Sequence, residues 1–161
     1  MIPVLLLQAP PAPSQDPLAI LRPLEGEWVG EGSGRPGEGS GGCTFRPDLG
    51  GRTFVRRNWA EYPAAQGRPA FRHEDLLVVG ATPKGLQAVY WDNEGHRIDY
   101  AVTSPEPGVV LFLGEIQPGA PRFRMTYRCV GKDGLALRFE IAPPGQPEAF
   151  KTYLEAKLRR K

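Results

Sequence analysis

Gly26-Glu27-Trp28-Val29-Gly30-Glu31-Gly32 is the stretch on which the fold turns. It reads as a first β-strand carrying a Gly-x-Trp. Short segments of alternating character follow it to the last residue, separated by turn residues. The turns include Asp48-Leu49-Gly50-Gly51, Pro83-Lys84-Gly85, Asn93-Glu94-Gly95, Pro107-Gly108, Pro118-Gly119, Lys132-Asp133-Gly134 and Pro144-Gly145.

Between these signals the expected strands cover 27–33, 43–46, 52–61, 71–80, 86–92, 96–103, 109–116, 122–130, 135–142 and 148–158. The glycines of 34–42 read as loop. Two strands alternate plainly. Phe123, Met125, Tyr127 and Cys129 oppose Arg122, Arg124, Thr126 and Arg128; Leu135, Leu137, Phe139 and Ile141 oppose Ala136, Arg138 and Glu140. Half-buried antiparallel strands show this pattern. The segments leave no room for crossover helices, and an open sheet of this size would expose its edges. The expectation is an all-β protein: a single antiparallel up-and-down β-barrel of about ten strands.

Composition agrees with one globular domain. The 161 residues are 40% hydrophobic and 24% charged, and the net charge of +2 gives no reason to expect a nucleic-acid partner. No apolar run reaches the ~20 residues of a membrane-spanning helix. Gly 20 and Pro 18 fall mostly between the alternating segments, as turn punctuation. Residues 1–16 read as a flexible tail or the remnant of a secretory signal, and 17–161 as the barrel. Met1–Leu7 is apolar and Gln8–Ser14 is small and proline-rich, which suits export; no Lys or Arg precedes Arg22, which suits a cytoplasmic extension. Asp16-Pro17 reads as a cap and first position of a short helical turn, with Leu18, Leu21 and Leu24 on one face. Cys43 and Cys129 have no metal spacing; they read as packed thiols, or as a disulfide if the chain is exported.

The segment 148–158 is open between two readings. Phe150, Leu154 and Leu158 are four apart, as on a helix face, and also even-numbered, as on a strand face.

The order of several motifs resembles that of bacterial calycin-like, or lipocalin-like, β-barrel domains of unknown function. They are Leu24–Gly32, Leu49-Gly50-Gly51-Arg52-Thr53-Phe54-Val55, Phe123-Arg124-Met125-Thr126-Tyr127-Arg128 and the terminal Leu158-Arg159-Arg160-Lys161. The resemblance implies that the last segment is the closing strand beside the first. It also implies that Trp28, with Gly26 beside it, packs over the barrel base. The opening motif is similar, more distantly, to that of nitrobindin-type haem barrels. Those ligate iron through a histidine near the C-terminus. The two histidines here are His73 and His96, so no position matches that ligand and no cofactor is expected.

A barrel is a container, and the expected function is binding of a small, mainly apolar and in one version anionic molecule inside it. The alternative is a structural or protein-interaction barrel with a filled interior. The expected lining is Arg57 and Trp59, which share a strand face with Val55, together with Tyr90 and Tyr100. Arg57 is the first candidate for a polar anchor; pairing with Glu61 and pointing to solvent are its alternatives. Cross-strand aromatic packing is the plainer reading of the tyrosines. His73 and Asp75 share a face in His73-Glu74-Asp75. Two donors fall short of the three or four of a zinc site, so no metal is expected unless neighbouring strands add His96 or Asp92. Arg122, Arg124, Arg128 and Arg138 form a basic stripe, read as a solvated outer face or as an anion or membrane-surface patch. No G-x-S-x-G elbow, phosphate loop or HExxH is present, and no catalytic residues emerge.

Overall fold

The computed structural model describes residues 16–31, 39–65 and 67–161. Ten antiparallel strands close into one barrel: β1 (Gly26–Gly30), β2 (Ser40–Asp48), β3 (Thr53–Tyr62), β4 (Phe71–Thr82), β5 (Gly85–Asp92), β6 (Arg97–Thr103), β7 (Val109–Gly114), β8 (Arg122–Val130), β9 (Gly134–Ala142) and β10 (Lys151–Arg160). Each strand pairs with the next, and β10 closes on β1 through Trp28↔Arg160 and Gly30↔Leu158. The last segment is therefore the closing strand, not a helix. Its even-numbered residues Leu154, Ala156 and Leu158 face inward opposite Phe139, Leu137 and Leu135, after a register shift between Thr152 and Leu154. The expected tail and signal reading of 1–15 lies outside the described residues. No helix among the described residues is long and apolar enough to cross a membrane.

One correction concerns the glycines before Cys43. Strand β2 begins at Ser40, so Gly41 and Gly42 belong to the sheet and not to the loop. Gly42 fits there because it has no side chain: a Cβ would lie 2.6 Å from the Trp28 carbonyl and 3.4 Å from the Trp59 indole.

The two ends of the barrel differ. At the end where β1 begins, a 3₁₀ turn (Ala19–Leu24) lies across the mouth. Asp16 starts it, its carboxylate accepting from the Leu18 amide at 3.0 Å. Leu18, Leu21 and Leu24 are fully buried and act as a plug, each contributing up to ~1.5–3 kcal/mol by leaving water. Trp28 sits on this plug. It is buried, and its indole N–H donates to the Leu24 carbonyl at 2.8 Å. The Arg160 guanidinium covers the indole at 4.3 Å and donates to the Glu25 carbonyl at 2.7 Å. Gly26, at φ +137°, leaves the space that this guanidinium enters. Above the plug, Phe45, Phe54, Tyr100, Phe112 and Tyr127 fill the interior, with Tyr127 edge-on to both Phe45 and Phe112.

Cys43 and Cys129 are free thiols. Burial pushes the Cys43 thiol up to about 11, so it is protonated and inert at neutral pH.

Candidate functional site at the open end

The far half of the barrel is built differently. Most inward-facing residues near the plug are buried, Leu86 and Cys129 excepted, whereas Asn58, His73, Tyr90, Ile98, Phe123, Phe139 and Ile141 are only partly so, and Leu154 is 41% exposed. Solvent reaches into this half. Its lining is also two-sided. Polar groups come from β3, β4 and β5, aromatic and aliphatic groups from β8, β9 and β10. In a ring of ten, β4 and β9 stand five places apart, so the two linings face each other.

The polar wall is one connected network. Arg56, 3% exposed, forms an ion pair with Asp75. Its other Nη donates to the Tyr127 hydroxyl at 2.5 Å and to the Met125 sulfur at 3.2 Å, while its Nε has no partner among the described residues. Asn58, directly across the ladder from Asp75, donates to its second oxygen at 2.7 Å. His73, two residues earlier on β4, places Nε2 3.2 Å from that same oxygen and Nδ1 2.8 Å from Glu94. Tyr90 donates to Asp92 at 3.1 Å and lies 3.4 Å from His73 Nε2. Asp92 also accepts from the amides of Glu94 and His96 and meets His96 Nδ1 at 2.8 Å. The network thus runs from the core at Tyr127 to the rim at His96.

Its electrostatics follow from these contacts. Burial pushes the Asp75 carboxyl up, but the Arg56 charge and the hydrogen bonds from His73, Arg56 and Asn58 outweigh it, holding Asp75 below the usual carboxylate range. The hydrogen bond to Asp75, with that to Glu94, raises His73 to about 9 against the opposing effect of burial. The imidazole is therefore cationic at neutral pH. Burial, then the charges of Asp75 and Asp92, push the Tyr90 phenol up. It stays a neutral hydrogen-bond donor.

The opposite wall is apolar. Phe123 and Phe139 stack with centroids 6.0 Å apart, and Tyr153 meets Phe139 edge-on at 6.2 Å. Further exposed aromatics stand near this end, where Tyr62 stacks on Phe71 at 6.4 Å.

The expected lining is redistributed. Arg57 is exposed on the outer face, and the inward arginine is its neighbour Arg56. Arg57 thus takes the solvent-facing alternative, and the inward arginine is one residue earlier, which in a strand is a change of face. Trp59 shares that outer face and lies under the Arg72 guanidinium at 5.4 Å. Tyr100 points inward but is buried in the filled half. Tyr90 points into the open half.

His73 and Asp75 do share a face, and the adjoining β5 end adds Asp92. Glu94, from the following turn, was not foreseen. The Asn93-Glu94-Gly95 signal marks a turn but not which strand it leans over; Asn93 sets that by accepting from the Glu74 amide and donating to the Arg72 carbonyl.

The basic stripe is paired residue by residue. Arg122 meets Glu148, Arg124 meets Glu140, Arg128 meets Glu106 and Arg138 meets Glu155. Arg124, Arg128 and Arg138 line a shallow outer hollow of about 670 Å³ with Leu111 and Thr126.

No protein-family model matches the chain, and no curated protein matches it.

Proposed function

We propose that the open half of the barrel binds a small amphipathic molecule, with an apolar body against Phe123, Phe139 and Leu154 and a polar end on the His73–Tyr90–Asp92 wall. The observation that carries this reading is the contrast between the halves: side chains fill one to the plug, while the other keeps inward-facing apolar groups in reach of solvent opposite a wall of fixed polar groups. Binding sites have this make-up, mostly apolar with a few placed polar groups. An ion pair buried beneath the wall also supports a site, because apolar side chains fill a purely structural interior at lower desolvation cost. The closed ten-stranded architecture is consistent with the calycin-like resemblance.

The polar end of the ligand is neutral or cationic in this reading. The anionic version depended on an unengaged interior arginine. Arg57 is outside, and Arg56 is already neutralised by Asp75. Three carboxylates, Asp75, Asp92 and Glu94, share this wall with the Arg56 guanidinium and the protonated His73.

Calorimetry with a matched pair, decylamine and decanoate, tests this. The amine binds at least tenfold more tightly if the reading holds. Decanoate binding equally well contradicts the polarity, and no binding by either hands the barrel to the structural alternative. The filled half, with its plug and interlocked aromatics, is the observation that favours that alternative.

A further inference from the structure

We propose that His73, Asp92 and Glu94 form a binding site for a divalent transition-metal ion, of which zinc is the type, at the rim of the open end. One donor atom from each lies within 4.8 Å of the other two, so that small side-chain rotations bring all three around one ion. The proposal does not depend on the amphipathic ligand, since it concerns only the polar wall.

Three features distinguish this group from a chance gathering of carboxylates. It includes an imidazole, which favours zinc and its neighbours over calcium or magnesium, ions that prefer all-oxygen shells. The imidazole is aimed. Nε2 is held by Asp75, whose side chain is 3% exposed and fixed in turn by Arg56 and Asn58, leaving Nδ1 directed at Glu94. A carboxylate on the far nitrogen is the usual support of a metal-binding histidine: it fixes the tautomer and strengthens the donor. Asp92 is likewise pre-set, its side chain 5% exposed and held by two backbone amides and the Tyr90 hydroxyl.

Charge and coordination fit as well. Zinc displaces the Nδ1 proton of the cationic His73 to solvent, Asp92 and Glu94 supply two negative charges to the doubly charged ion, and Asp75 is balanced by Arg56. Three protein donors leave one position of a tetrahedron open, the pattern of zinc sites that hold water or a ligand. His96, 63% exposed and resting on Asp92, gives up its carboxylate oxygen without disturbing the strands.

Calorimetric titration of the full chain with zinc chloride at pH 8, after treatment with EDTA and dialysis, tests the site. One ion per chain is expected, with a dissociation constant in the micromolar range or below, and calcium and magnesium at least 100-fold weaker. Glu94→Gln weakens zinc at least tenfold, and His73→Gln abolishes the site. Glu94 is an exposed turn residue, so its variant keeps the fold, which circular dichroism verifies. Absence of zinc uptake overturns the proposal. Uptake unchanged in both variants, or equal uptake of calcium, also overturns it.

Discussion

Arg56 on β3 reaches diagonally to Asp75 on β4, and the two close an ion pair inside the barrel at the boundary between its filled and open halves. Both side chains are 3% exposed. Below them are Tyr127 and the aromatic core; above them are His73 and the rim. The pair is both floor of the open half and support of its polar wall.

Breaking this pair from one side is costly. Arg56→Met leaves Asp75 buried without its cation, and Asp75→Asn does the converse. Each destabilises by about 3–5 kcal/mol in urea denaturation. Arg56→Met combined with Asp75→Leu recovers most of that loss, because neither charge remains to be desolvated. A double variant no more stable than the singles contradicts this account.

Arg57 is the control for strand parity. Arg57→Ala changes stability by no more than about 0.5 kcal/mol, as for other exposed positions. A loss comparable to that of Arg56→Met would place the wrong arginine inside.

His73 confers a pH dependence. Its folded-state value of about 9 lies above the ordinary 6.5. The folded protein therefore holds this proton more tightly than the unfolded chain does. The resulting stabilisation is complete below about pH 6.5 and is lost as pH rises through about 9. An NMR titration of the imidazole in metal-free protein shows a midpoint near 9, moved downward by Glu94→Gln. A midpoint at or below 6.5 contradicts the network.

The plug is a packing element, and Leu21 at its centre is fully buried. Leu21→Ala costs about 2–5 kcal/mol. It also loosens the seat of Trp28, which tryptophan fluorescence reads as a red shift. An unchanged spectrum with unchanged stability contradicts the closed end.

The barrel was legible because most of its strands obey one rule. On β8 and β9 the large apolar residues, Val130 excepted, fall on one parity, and the turns between strands carry Gly or Pro. Strand β3 breaks the rule. Its inward face holds Phe54, Arg56 and Asn58, while its outward face holds Val55 and Trp59, so hydrophobicity points the wrong way. The partners that make Arg56 tolerable inside, Asp75 and Tyr127, lie 19 and 71 residues away. No local pattern reports them. Gly41 and Gly42 were hidden for a related reason: their composition reads as loop, and their need for smallness comes from Trp28 and Trp59 across the sheet. The triad at the rim was half visible. His73 and Asp75 showed their shared face, but the gathering of Asp92 and Glu94 required the β4–β5 register.

The division of the barrel into a filled and a receptive half is tested most directly by NMR titration of labelled protein with decylamine. The predicted result is saturable shift changes at Tyr90, Ile98, Phe123, Phe139 and Leu154, with Phe45, Tyr100 and Phe112 unmoved. Changes centred on the residues near the plug, or none at saturating amine, would contradict it.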